Sequence, residues 1–124
     1  MFAQMSDEEL IRRSDLIVVG EWVGQSGVVV SETAGPLELG AISIAEVLKG
    51  APGQSLALVA TVAPGAPRTG DDVTYRRGDK GVWLLRLRQG SAKGIYLADH
   101  PQRFIPEAGG AAHIAALRRL MVRR

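Results

Sequence analysis

Hydrophobic and polar positions divide the chain into short segments of changing period. SDEELIRR (6–13) has helical spacing and a clear start. Ser6 is placed as N-cap, Glu9 three residues on completes a capping box, and Met5 with Leu10 can form a hydrophobic staple. Asp7 and Glu8 suit the positive end of the helix dipole and Arg12 and Arg13 the negative end. A helix over 7–13 is predicted, with Leu10 and Ile11 inward. DLIVVGEWVG (15–24) then reads as a strand of about 15–25, apolar on both sides from Leu16 to Val19 and cut by Gly20 and Gly24. GVVVSE (27–32) continues it or pairs with it. In TAGPLELG (33–40), Gly35, Pro36 and Gly40 break the chain.

The next strand is AISIAEVLKG (41–50). Ile42 and Ile44 share one face, but Val47 falls on the other, so a β-bulge is predicted at Ala45–Glu46. A turn through Lys49, Gly50, Pro52 and Gly53 leads to SLALVATV (55–62), where Leu56 and Leu58 alternate with smaller residues. In VWLLRLR (82–88), Trp83, Leu85 and Leu87 point one way and Val82, Leu84, Arg86 and Arg88 the other. That strand begins buried on both sides and ends with a polar face. QGSAKG (89–94) is a turn, and IYLAD (95–99) is a last strand with Ile95 and Leu97 on one face. HPQRFIPEAGG (100–110) reads as irregular, because its two prolines oppose regular pairing. A helix over 111–122 follows, with Ile114, Leu117 and Met121 as a buried stripe. Arg118, Arg119, Arg123 and Arg124 take its other face and last turn.

Five or six strands, short turns and a terminal helix at each end predict a mainly β fold. The expectation is a five- to six-stranded antiparallel barrel of oligonucleotide/oligosaccharide-binding (OB) type, with a short N-terminal and a C-terminal helix. It forms one domain over 1–124: a tail over 1–5, the helix over 7–13, the barrel over 15–99 and the helix over 111–122. The doubly apolar start of the first strand belongs where a helix covers the barrel, and Gly20 and Gly24 let the strand coil. An open α+β sheet covered on one face is the competing architecture.

Composition sharpens this picture in three ways. Cysteine is absent, which excludes disulfides, thiolate metal sites and cysteine nucleophiles. Aromatics make up only 5%, so the core must rest mostly on Val, Leu, Ile and Ala. Twelve of the fifteen basic residues are arginine, yet the net charge is +2, far from the polybasic signature of a dedicated nucleic-acid binder. No apolar run reaches the length of a membrane span. MFAQ at the start is compatible with the remnant of a cleaved export signal as well as with a plain tail.

SDLIVVGEWVG, AEVLKG, GVWLLRL and YLADHPQRFIP occur in an order that resembles small bacterial exported domains of the tissue-inhibitor-of-metalloproteinases/netrin-like branch of OB folds. The resemblance covers about 15–106. It implies a five-stranded barrel, a C-terminal helix and an extracytoplasmic location, periplasmic or secreted. The branch's protease-inhibiting activity depends on an N-terminal cysteine that chelates the protease zinc, and that residue is missing here.

The candidate chemistry is sparse. Asp99-His100-Pro101 could place His100 as a base oriented by Asp99, but neighbours on a strand point to opposite sides. No serine or threonine sits in a nucleophile elbow. A turn before proline is the better reading, and His113 reads as a boundary residue of the last helix. Asp71, Asp72 and Asp79 share the polar connection over 63–81, but in no calcium-loop order. Glycine-rich GAPGQ and APGAPRTGDD lack the lysine and helix start of a phosphate loop. Arg68, Arg76 and Arg77 in the same connection, with Arg86 and Arg88 on the following strand, offer cations for a partner. Tyr75 is the nearby aromatic for base stacking. Trp83 is assigned to the core, and Trp22, at the rim of the first strand, to a core or helix-packing role, with an exposed contact as the alternative. Pairing of the arginines with Glu32, Glu46 and the loop aspartates is the structural alternative.

A connection as long as 63–81 on a compact domain points to function. The expectation is a non-catalytic module, without cofactor or metal, that binds a protein partner through that connection. The binding set is Arg68, Asp71, Asp72, Tyr75, Arg76, Arg77, Arg86 and Arg88. An OB domain for single-stranded nucleic acid and an enzyme using His100 are the alternatives.

Overall fold

A computed structural model describes residues 4–32, 35–51, 53, 55–62, 75–87, 95–98 and 101–122. The elements run α1 (Asp7–Arg12), β1 (Leu16–Glu32), β2 (Gly35–Lys49), β3 (Leu56–Val62), β4 (Lys80–Leu87), β5 (Ile95–Leu97), a 3-10 turn (Pro101–Arg103), β6 (Phe104–Pro106) and α2 (Glu107–Val122). Hydrogen-bonded neighbours follow the order β1-β2-β3-β5-β4, and β4 returns to β1. Five strands thus close an OB-like barrel, and β6 adds to β4 outside the cycle. All pairings are antiparallel except β3 with β5, so the barrel is mixed rather than purely antiparallel.

Two cores explain the apolar runs. Leu16, Val18, Trp22, Ile42, Ala57, Val59, Trp83, Leu85 and Ala98 fill one cluster, the barrel interior. Leu10, Ile11, Ile17, Val82, Leu84, Ile105 and Leu117 form the second, which joins the outer face of β1 and β4 to both helices. β1 and β4 pair in register from Leu16↔Leu85 to Glu21↔Lys80. Residues opposite each other share a face, so Leu16 with Leu85 and Val18 with Trp83 point inward, while Ile17 with Leu84 points at the helices. The double-sided runs LIVV and VWLL are therefore the two strands sandwiched between the cores.

The bends have identifiable causes. Val19 pairs with Glu46 and Gly20 with Ile44, so Ala45 is the extra residue of the bulge anticipated there. A second irregularity falls at Val23, where Trp22 pairs with Ile42 and Gly24 with Ala41. Gly24 follows it at φ +131°, a conformation that L side chains rarely adopt. Gly20 is needed for close approach instead: a Cβ there would stand 2.5 Å from the Ser43 carbonyl oxygen.

α1 starts as its sequence indicates, with the Ser6 side chain accepting from the Glu9 amide at 3.2 Å, and both Leu10 and Ile11 are buried. GVVVSE continues the first strand rather than pairing with it. In β3 the small residues face the interior: Ala57 and Val59 are buried and Leu56 is exposed. Two expectations need correction. The segment over 35–40 opens β2 rather than breaking the chain; Gly40 lies in strand beneath the Trp22 ring. The proline-flanked stretch RFIP is paired rather than irregular, with Trp83↔Phe104, Val82↔Ile105 and Gly81↔Pro106. Pro106 ends that strand, where a missing N–H costs least. α2 accordingly begins at Glu107, with non-helical Ala108 and Gly109 before its regular turns. No helix among the described residues is long and apolar enough to cross a membrane.

Candidate functional site

The end of the 63–81 connection is fastened to the barrel. The Trp22 amide donates to the Asp79 carbonyl and the Gly78 amide to the Trp22 carbonyl, both at 2.8 Å. Within the turn, the Arg76 amide donates to the Asp79 carboxylate at 2.8 Å. The Tyr75 hydroxyl donates to the Ala98 carbonyl at 2.8 Å, so the segment is tied to β1 and to the residue after β5. Arg76 and Arg77 stand exposed on this anchored turn, their guanidinium groups without an ionic partner among the described residues.

Tyr75 is not a free stacking platform. Its ring meets Trp83 edge-on at 4.8 Å, Phe104 at 5.8 Å and Trp22 at 5.4 Å, and Trp83 stacks on Phe104 at 4.1 Å. Four aromatics therefore converge from β1, the 63–81 connection, β4 and β6. The aromatic shortage of the chain is met by spending most of its rings in one cluster. Both tryptophans are core residues, as their positions implied.

Arg86 is half-buried near the far end of β4. From Lys80, next to the anchored turn, to Arg86 the strand advances about 20 Å at ~3.3 Å per residue. Arg76 and Arg77 thus lie at one end of the strand and Arg86 at the other, and the structure does not gather them into one patch. Of the other sequence candidates, Arg68, Asp71, Asp72, Arg88, Asp99 and His100 lie outside the described residues.

Two contacts on the helical side were not legible in the sequence. His113 Nε2 lies 2.9 Å from Asp7 Oδ1, linking α2 to α1. Glu46, the alternative partner of the loop arginines, instead takes both terminal nitrogens of Arg118 at 2.8 and 3.1 Å. The hydrogen bond from Arg118 lowers the Glu46 carboxyl below its ordinary value, against a smaller opposing desolvation and with added attraction from the same charge. A carboxyl depressed in the folded state stabilises above its unfolded pKa, and that contribution is lost as pH falls through the folded value. Acidification through the carboxylate range is therefore expected to loosen α2. Glu46→Gln should flatten the acid side of a melting-temperature profile at low salt. Both side chains are about half exposed, so the effect is small and fades with added salt.

Among the described residues no group of three His, Cys, Asp or Glu could hold a metal ion. The molecule is thus an OB-like barrel of minimal size, with an arginine-bearing turn locked onto β1 and two helices clasped over one outer face. Comparison with family models, curated proteins and solved structures returns no match.

Proposed function

We propose that the protein is a non-catalytic binding module that engages a protein partner through the 63–81 connection, with Arg76 and Arg77 meeting acidic groups on that partner. The observation that carries this reading is the anchoring of Tyr75–Asp79: three hydrogen bonds hold a short exposed turn against the barrel, and the bond from the Arg76 amide to the Asp79 carboxylate braces it from within. A preformed turn loses little conformational freedom on binding, so its two cations can contribute net affinity. The resemblance to exported netrin-like domains supports an extracytoplasmic setting. Single-strand binding has weaker support, because Tyr75 is occupied within the aromatic cluster and Arg86 is far from the arginine turn.

The test is affinity capture from the source cells with cross-linking, comparing wild type with Arg76→Glu/Arg77→Glu. Both side chains are exposed, so the double variant is expected to keep its melting temperature. Capture of the specific partner should drop at least tenfold and should weaken with salt in the wild type. Equal capture by both proteins would refute the assignment. Salt-sensitive binding of a mixed-sequence single-stranded oligonucleotide at about 50 mM salt, lost in the double variant, would replace it with the nucleic-acid reading.

A further inference from the structure

A cleft of about 320 Å³ opens between the first half of α2 and the outer face of β1 and β4. Its floor is Val19, Gly81 and Val82, and its helical wall is Ala111, Ile114 and Ala115. The cleft exists because α2 presents alanines where larger residues would reach the sheet. The volume lies at the low end of small-molecule sites, which run from about 300 Å³ upward, and equals roughly ten water molecules. A helix is roughly 10–12 Å across with its side chains and cannot enter such a space. A compact ligand can.

The charges at the rim select which ligand. Arg118 borders the cleft, but its guanidinium is held by both oxygens of Glu46. Glu107 also borders it, and its carboxylate has no hydrogen-bond or ionic partner among the described residues. Lys80, next to Gly81 on the floor, stands opposite Glu21 in the β1–β4 register. Arg118 is held by Glu46 and Lys80 faces the opposite charge of Glu21 across the register, so Glu107 is the rim charge left without a partner among the described residues, beside an apolar surface. We infer that the cleft is a second binding site, taking a small free amine: an ammonium group on a short aliphatic stem. The stem lies on Val19, Ile114 and Ala115 and the ammonium meets Glu107.

Three probes with the same tail separate the parts of this claim: hexylammonium, hexanol and hexanoate, titrated at neutral pH and low salt. Amide chemical shifts of Gly81, Ala111 and Ala115 give the readout. Hexylammonium should bind saturably, about three- to fivefold tighter than hexanol, the scale of one half-exposed charge pair. Hexanoate should bind more weakly than hexanol. Glu107→Gln should erase the preference for hexylammonium while leaving hexanol binding unchanged. Ala115→Leu, which fills the cleft from an exposed helix position, should abolish binding of all three without lowering the melting temperature. The assignment fails if no probe saturates at millimolar concentration, if hexanoate binds as tightly as hexylammonium, or if either variant leaves the pattern intact. Tighter binding of N-acetyl-lysine methylamide than of hexylammonium would give the site to a protein-borne lysine and overturn the free-amine assignment. None of these outcomes depends on Arg76 and Arg77, so this site and the arginine turn stand or fall separately.

Discussion

Trp83→Ala is expected to lower stability by about 3–5 kcal/mol, a large part of the total for a domain of this size. Trp83 is fully buried at the centre of the barrel. Its ring stacks on Phe104 at 4.1 Å and receives the edge of Tyr75 at 4.8 Å. Its Nε1 donates to the Gly20 carbonyl at 2.9 Å, across the β1–β4 seam that closes the cycle. Alanine removes the packing, opens a cavity and leaves that carbonyl without its side-chain donor. Trp83→Phe should cost less, about 1–3 kcal/mol, because most of the volume stays and the donor alone is lost. Guanidinium unfolding of the two variants separates these contributions. A loss under about 1 kcal/mol for alanine would mean that the aromatic cluster does not support the barrel.

The second large effect is at Arg103, a residue with only 3% exposure. β4 has β1 along one edge, and the Asp15 amide donates to the Leu85 carbonyl on that side. Successive carbonyls along a strand alternate in direction, so the Leu84 carbonyl faces the opposite edge. There β6 covers positions 81–83 and β5 covers 86 and 87, leaving Leu84 in the gap between them. Arg103 Nη1 fills the gap, donating to the Leu84 carbonyl at 2.9 Å and to Ser14 Oγ at 3.1 Å. A side chain thus does what a strand would otherwise do, and it ties the end of α1 to β4 and β6. Arg103→Leu should cost about 3 kcal/mol, since hydrogen bonds from a charged donor are worth about 1.5–3 kcal/mol and a buried acceptor is orphaned. Hydrogen exchange at Phe104 and Ile105 should accelerate more than elsewhere. Arg103→Lys should recover only part of the loss, because an ammonium lacks the planar fork. Uniform exchange across the barrel, or wild-type stability in the leucine variant, would show that the gap needs no donor.

The candidate site was partly readable. The connection over 63–81 stood out by its length and polarity, and the exposure of Arg76 and Arg77 follows from their place in it. The fate of Tyr75 did not, since nothing in a polar loop signals that one ring will turn back into the core. Arg86 looked like a neighbour of Arg76 and Arg77 because linear proximity hides the length of an intervening strand. The cleft under α2 was invisible for a related reason: alanines on a helix look like propensity, and only the facing sheet turns them into a wall.

What the chain determined by itself was local. The α1 cap, the two-sided apolar runs of β1 and β4, the bulge at Ala45 and the stripe of Ile114 and Leu117 each rest on periodicity or on contacts within a few residues. Hydrophobic sorting pointed to a barrel with a covered face, with an open sheet covered on one face as the competitor, and the β1–β4 pairing that closes the cycle decided between them. The tertiary structure decided the parallel pairing of β3 with β5, the recruitment of RFIP as a sixth strand and the choice of Arg118 for Glu46. It also decided which face of β3 is inside. These outcomes depend on which backbone edges are left unpaired once the barrel has closed, and that is a property of the assembled sheet.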